Sequence, residues 1–546
     1  MARRVLAVCI LLLAGLFALY CGGLPNTNAP VAKTGTVYTL IGDSPVCDVL
    51  AARLNLTELI LYYAGSGAGT TLLNQVSTLI PIDLAGLRDS STVLNDTAIK
   101  SGSYGRISLG VDVASMYVYD PSANPPISVL TENLTTPSPE IYNITPPLTV
   151  PGGGVAVVSL DFDLSHAVQV NSQGQITGVL DPVATATAPA TPTASTPNGF
   201  GEVDGTHGFV ESLQNTASTV GGINYIGGAV VQLLPSDVAG SGGTALTVEL
   251  TGKSVLCGPT TFSNQACCQS GISSSANPAC SVPAASLNGV MTGSYATVDG
   301  FVDSNGYFQV NTLAVGPQEI VEDQQVAFIG PVLSVIKDTS GNVTGFNMFL
   351  REIEPAITGV SLDALTTVTL ASGTFYNTVP PPIYTAQFPT VAQGPNFAAL
   401  PFGPDQIAVG QDVVVHGVYT VPPPATPPAI SPPVNMVANE VDVNLQAHGG
   451  NFVSLLASQA DNHTGGFAFQ PCATLDQQNL AALPIYVFTS PRTAFVNVAG
   501  LTSLQPQPNL VVKGLLFYEP QSVIINGVTV PAGKMVMLAK TVTQGF

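Results

Sequence analysis

The chain has no tryptophan and only five histidines, and just 9% of its 546 residues carry a formal charge. A typical soluble domain has about 25% charged residues. Cations are the scarcer sign: 14 Lys and Arg stand against 34 Asp and Glu, a net charge of −20. Phosphate recognition needs a basic footprint, so this balance argues against a nucleic-acid partner. Without tryptophan, the broadest aromatic platform for stacking on sugars is missing, and the 16 tyrosines are left to supply one. Long apolar runs are also missing. Beyond residue 20 no segment reaches 18 uninterrupted apolar residues, so no later segment is expected to span a bilayer. The chain lacks the H-E-x-x-H, G-x-S-x-G and P-loop patterns that would point to a zinc protease, a serine hydrolase or an NTPase.

What is present is ordinary apolar content, 45%, with 54 Gly and 44 Pro. Gly and Pro together stay below the ~25–30% that marks an unstructured low-complexity chain. At roughly 150 residues per domain the length suits three or four domains. Arg3 and Arg4 precede an uncharged, mostly apolar stretch over 5–20, followed by Cys21-Gly22-Gly23 and a polar segment. This is the layout of a signal peptide over 1–21, too short to span. Cys21 is the candidate lipidation site, with ordinary cleavage near 21–23 as the alternative, because Tyr20 stands where a lipobox wants a small residue.

An exported chain reaches an oxidising compartment, where nearby cysteines pair. Cys257, Cys267, Cys268 and Cys280 lie close together without C-x-x-C spacing, so a disulfide-stapled loop is expected rather than zinc. Adjacent Cys267 and Cys268 would then bond outward, one to Cys257 and the other to Cys280. Cys47 and Cys472 lie far apart and are expected to be free and buried.

The residues divide the chain. The uncharged ATATAPATPTASTPNG run at 184–199 reads as a linker, assigned to 185–199. Upstream, over 35–184, VYTLIGD (37–43), LNLTELILYY (54–63), RISLGVDV (106–113), SMYVYD (115–120) and VAVVSLDFDL (155–164) alternate or are β-branched, as strands are. One stretch, 82–94, suits a short helix capped by Asp83, with Leu84 and Leu87 on one face. Downstream, Thr261-Phe262, Thr374-Phe375 and Thr493-Ala494-Phe495 are each followed by a strand ending in glycine, at Gly300, Gly417 and Gly514. Three modules follow, at 200–320, 325–445 and 446–546. Phe262, Phe375 and Phe495 are expected in equivalent core positions. Asn305-Gly306 and Ser340-Gly341 read as hairpin turns. The fold expected is all-β: an N-terminal β-sandwich-like domain, then about three small β-barrel or sandwich modules.

The segments GDSPVCDV (42–49), LNLTELIL (54–61), IDLAGLRDSSTVLN (82–95), SGSYGRISL (101–109), LDFDL (160–164) and QITGVLDP (175–182) together resemble the bacterial exported domain-of-unknown-function 4382 type. The Thr-x-Phe and V-x-G repeats resemble the domain-of-unknown-function 5666 type, made of short β-barrel modules. The resemblances imply a secreted, modular envelope protein and carry no catalytic role.

Candidate chemistry is sparse. Asp161 and Asp163 sit at i and i+2, on one face of a strand. They are the calcium candidates and the only available carboxylate pair for glycosidase-like work; the plainer reading turns both to water while Phe162 and Leu164 face the core. Asp303-Ser304-Asn305-Gly306 is a turn rather than an EF-hand loop. Asp299, His416 and Lys513 occupy the x of V-x-G, and their mixed chemistry predicts a solvent-facing position. His166 reads as a strand-end residue, and His448 with His463 as a remote metal pair. Tyr62, Tyr63, Tyr117 and Tyr119 are the aromatic candidates for a glycan surface, though core packing explains Tyr117 and Tyr119 equally well. The expectation is an exported envelope or surface protein, periplasmic, outer-membrane-anchored or extracellular. It binds a glycan or an envelope protein, has no cofactor, and touches a membrane only through an N-terminal lipid. The alternative is a polysaccharide-active enzyme or its accessory carbohydrate-binding module.

Overall fold

The computed structural model describes residues 33–544, apart from 163–167, 190–199, 234–244, 258–286, 316–325, 380–401, 421–433 and several shorter stretches. Among the described residues there is no α-helix; strands and short 3-10 turns make up the regular structure.

The first domain is one ten-stranded sheet. Across it run Gly69–Asn74, Val49–Tyr63, Gly102–Tyr119, Glu140–Val150, Ala184–Thr187, Val155–Phe162, Thr34–Asp43 and Ser91–Lys100; Ile80–Asp83 and Ile127–Leu134 pair alongside. Alternation sets its inner face. Leu59, Leu61, Ile107 and Leu109 from one half and Val37, Ile41, Val93 and Val157 from the other join a single apolar cluster, so the sheet curls around a core. The helix expected over 82–94 is a single 3-10 turn, Leu84–Leu87, and the chain becomes a strand again at Ser91. Asp83 still caps, accepting from Ala85 N at 3.1 Å, but it also accepts from Ala52 N at 2.8 Å on the neighbouring strand. The expected linker begins too early. Ala184–Thr187 is a strand lying between Glu140–Val150 and Val155–Phe162, because small Ala186 fits there fully buried.

Three five-stranded barrels follow with identical connectivity. In the first, the strands in chain order are Phe200–Gln214, Ile223–Leu233, Ala245–Thr251 extended by Val255–Cys257, Tyr295–Val302 and Phe308–Val315. In the second they are Val326–Lys337, Val343–Leu350, Ala364–Val379, Asp412–Thr420 and Val434–Asn444. In the third they are Gln446–Ser458, Gly465–Pro471, Ile485–Thr489 extended by Ala494–Val496, Leu510–Glu519 and Lys534–Gln544. Each time the first strand pairs antiparallel with the second and the fourth, the third pairs parallel with the fifth, and the circle closes in the order 1-2-3-5-4.

The repeat has a physical core, and it is the hydroxyl rather than the phenyl ring. Thr374 Oγ1 accepts from Ala371 N at 2.9 Å and donates to Ala438 O at 2.8 Å. Thr493 Oγ1 does the same between Ser490 N (2.8 Å) and Ala539 O (2.9 Å). In the first barrel Ser254 takes this place, between Thr251 N (2.8 Å) and Val310 O (2.6 Å), and Thr261 lies outside the described residues. Each accepting carbonyl belongs to the residue opposite the repeat glycine: Gly300 faces Val310, Gly417 faces Ala438 and Gly514 faces Ala539, with a β-bulge immediately before each glycine. A Cβ on any of these glycines would come within 2.2–2.4 Å of a carbonyl oxygen on the fifth strand, so only glycine permits the approach.

The register of this latch corrects the phenylalanine assignment. Phe375 and Ala494 each follow the latch threonine and face outward; Phe375 is 62% exposed. The second residue after the hydroxyl turns inward: Leu256 is buried, and Tyr376 and Phe495 pack on their cores. The extra residue in Thr493-Ala494-Phe495 is what misaligns the rings in sequence. Phe262 lies outside the described residues. Both predicted hairpin turns form, with Gly306 and Gly341 at φ of 85° and 87°. Asp303 and Asp338 close them by accepting from the backbone N–H groups of Asn305 and Tyr307, and of Ser340 and Asn342.

The first domain touches all three barrels. Its core is continuous with that of the first, Leu50, Ala51 and Tyr119 cluster with Leu333, Phe349 and Leu475, and Cys47 is bonded to Cys472 of the third. The second and third barrels are joined by two glutamines. Gln411 Nε2 donates to Leu516 O at 2.9 Å, while Gln446 accepts from Asp412 N and donates to Gly410 O, both at 2.8 Å.

Candidate functional site

Among the described residues, a dense group of ionisable side chains lies where the first domain meets the second barrel. Arg53, on strand Val49–Tyr63, forks onto Asp363 with contacts of 2.7–3.0 Å and donates to Arg351 O at 2.6 Å. Arg351 follows the second strand of the barrel and grips both oxygens of Asp412 at the start of the fourth. Its Nε lies 3.4 Å from Glu352 Oε1 and 3.7 Å from Asp83 Oδ2. Two guanidinium groups thus hold four carboxylates, and Arg351 is 4% exposed. Burial works against the charge on Arg351, but the Asp412, Glu352 and Asp83 carboxylates outweigh it and raise its pKa. Arg53 is raised in the same way, chiefly by Asp83 and Asp363 against the cost of burial. Asp363 itself is pushed above the usual carboxylate range by burial, which exceeds the opposing pull of Arg53.

Such a cluster is a joint. Every group is turned inward, and removing one charge would leave its partners buried and uncompensated, at a cost of about 3–5 kcal/mol. Sequence reasoning picked out none of Arg53, Arg351, Glu352, Asp363 or Asp412, and saw Asp83 only as a cap. A signal was available: Arg351 follows the apolar strand Val343–Leu350 in a chain with only 14 cations, and a charge beside such a strand calls for a partner.

The V-x-G position is not solvent-facing. Asp299 and Lys513 are buried, and the His416 side chain is only 12% exposed, its Nε2 3.6 Å from Asp442 Oδ2. Asp442, on the neighbouring fifth strand, contributes to the cover of His416, a contact that alternation within one strand does not reveal. The expectation for Cys47 and Cys472 is likewise corrected: they form a disulfide across 425 residues.

Other candidates are dispersed. Asp161 is exposed between buried Leu160 and Phe162. Asp163, His166, Cys21, Cys267, Cys268 and Cys280 lie outside the described residues, and Cys257 is described only as part of the strand Val255–Cys257. His448 is buried at the start of the strand Gln446–Ser458, its Nε2 2.5 Å from Gln446 Nε2, whereas His463 sits beyond the other end, in a turn closed by Asp461. The strand between them keeps them apart. Tyr117 packs on Phe349, ring centroids 5.9 Å apart, and Tyr119 is buried in the same contact with the second barrel. Tyr62 and Tyr63 lie at one end of the first domain: the Arg106 guanidinium is 5.5 Å from the Tyr62 ring centre, and Tyr63 stacks on Tyr104 at 4.5 Å. Among the described residues, no group of three or more His, Cys, Asp or Glu is placed to hold a metal ion, and no helix is long and apolar enough to cross a membrane.

Residues 34–182 match the family described as "Domain of unknown function (DUF4382)". No curated protein matches the chain.

Proposed function

We propose that the chain is an exported protein of the cell envelope that binds or holds a partner there and does no catalysis of its own. The observation that carries this reading is the Cys47–Cys472 disulfide, which ties the first domain to the third barrel. Structural disulfides persist in oxidising compartments, in keeping with the Arg-Arg start and short apolar run before Cys21. The use made of charge supports the non-catalytic part. Catalysis needs a positioned acid, base or nucleophile open to substrate. Here the clustered groups, Arg351 foremost, are closed into a joint between domains.

Five-stranded Greek-key barrels are also the architecture of domains that bind oligosaccharides and oligonucleotides, and the −20 charge favours the former. The same proposal includes a lipid on Cys21, disulfides among Cys257, Cys267, Cys268 and Cys280, and membership of the barrels in the 5666-type repeat family. The shared hydroxyl latch and glycine bulge support that last point.

Fractionation with intact-mass measurement tests export: the expected product is an envelope protein lacking about its first 20 residues, diacylated if anchored. A full-length cytoplasmic protein would refute it. Screening that product against glycans and cell-wall polymers should return a ligand that is bound and left intact. Turnover of a polymer, abolished by Asp161→Asn with the fold preserved, would overturn the non-catalytic reading.

A further inference from the structure

One end of the first domain departs from the acidic character of the chain. Four segments meet there: the entry at 33–35, the hairpin around 64–68, the turn at 100–103 and the turn at 151–154. Backbone bonds knit them together. Ser101 N donates to Lys33 O at 2.9 Å, Ala64 N to Ser103 O at 2.9 Å, and Gly153 N to Thr34 O at 2.7 Å. Tyr104 Oη donates to Lys100 O at 2.8 Å, and Arg106, besides covering Tyr62, donates to Ser66 O at 3.3 Å. Lys33 and Lys100 are exposed and Arg106 half-buried. The stretches 33–37, 60–71, 98–106 and 148–155 contain no Asp or Glu. Elsewhere, the described cations are mostly committed inside the fold: Arg53 and Arg351 to the joint, Lys513 and Lys540 to buried positions, and Lys534 to Leu483 O. Lys33, Lys100 and Arg106, on stretches of the first domain that carry no Asp or Glu, form a local positive surface on a molecule of net charge −20, at the end that also holds Tyr62 and Tyr63.

We propose that this end of the first domain rests on the anionic headgroups of the membrane that holds the chain. The proposal builds on the reading of an exported protein anchored at Cys21. Two features favour a bilayer over an acidic polymer. The chain enters this end at Lys33, twelve residues after Cys21, so this end can lie no more than about 40 Å from an anchored Cys21. Tyrosine, with an apolar ring and a polar tip, suits the headgroup boundary. The anchor keeps the surface at high effective concentration near the bilayer, so weak individual contacts suffice to hold it.

The test uses the chain from residue 22 onward, without the lipid, in cosedimentation with vesicles of phosphatidylglycerol and phosphatidylethanolamine or of phosphatidylcholine alone. Binding to the phosphatidylglycerol vesicles is expected, weakening as salt rises, with little on phosphatidylcholine. Lys33→Glu with Lys100→Glu and Arg106→Glu should lower it by about a hundredfold, from roughly fivefold for each cation at an anionic surface. Lys337→Glu, at an exposed lysine of the second barrel, should leave it unchanged. Lys33→Gln with Lys100→Gln spares Arg106 and its ring contact, and guards against misfolding of the triple variant; it should still cost about 25-fold. Equal binding by these variants and the parent, or no binding to phosphatidylglycerol, would overturn the proposal. So would stronger binding to soluble polygalacturonate with the same residue dependence, which would assign the surface to an acidic glycan. A cytoplasmic location would refute the export reading separately, since the vesicle result is read on purified protein.

Discussion

The second and third barrels share strand order, hydroxyl latch and glycine bulge, yet their outer faces differ. In the third, Leu515 and Leu538 follow and precede the latch positions Gly514 and Ala539, and both are fully buried with Phe517, Ile525 and Val530, the last two from the small hairpin Val523–Val530. The equivalent residues of the second barrel, Val418 and Val437, lie opposite each other and are 55% and 49% exposed. The inner positions are therefore dictated by topology, and the outer ones by whatever else packs against the barrel.

The strongest way to break this comparison is at the joint that the second barrel alone makes with the first domain. Arg351→Ala should destabilise by about 3–5 kcal/mol, because Asp412, Glu352 and Asp83 lose their counter-charge while buried. A chemical-denaturation midpoint would show it; a change under about 1 kcal/mol would mean the cluster is solvated. The outer faces come next. Leu538→Ala in the third barrel should cost about 2–5 kcal/mol, and Val437→Ala in the second within about 0.5 kcal/mol, as for a surface site. Equal costs would show that the two faces are covered alike.

Glu519, at the end of the fourth strand of the third barrel, has no counterpart in this comparison. It is buried, and burial raises its pKa to about 7 from an ordinary 4.5. The folded protein therefore keeps this proton where the unfolded chain has released it. Its contribution to stability is greatest in acid, falls as pH rises from about 4.5 to 7, and is level above that. Glu519→Gln should flatten that slope and stabilise the protein at pH 8 by about 2 kcal/mol, because the buried carboxylate no longer has to form there. An unchanged slope would contradict it. The latch itself is the last test: Thr493→Val should cost about 1–3 kcal/mol by removing the hydroxyl that bonds Ser490 N and Ala539 O, and Thr374→Val a similar amount if the latch is equivalent in both barrels.

Much of this architecture was readable from residues. Period-two alternation marked the strands of the first domain, and glycine after V-x marked the fourth strand of each barrel because a close backbone approach admits nothing larger. The phenylalanine register failed because one inserted residue, Ala494, moves the ring to the other face of a strand. Asp299, His416 and Lys513 were misjudged because their cover comes from outside their own strand. The disulfide and the Arg53–Arg351 joint link residues some 300–425 positions apart, and no local pattern encodes such a pairing. The signal that remained was scarcity: in a chain this poor in charge, each cation near an apolar strand has a partner to be found.

The bond between Cys47 and Cys472 links the oxidising location to the clasp between the first domain and the third barrel. Non-reducing peptide mapping of protein taken from the envelope fraction, with free thiols blocked at lysis, should recover one cross-linked peptide pair containing both residues. Recovery of Cys47 and Cys472 as separate, alkylated thiols would contradict both the oxidising location and the clasp between the first domain and the third barrel.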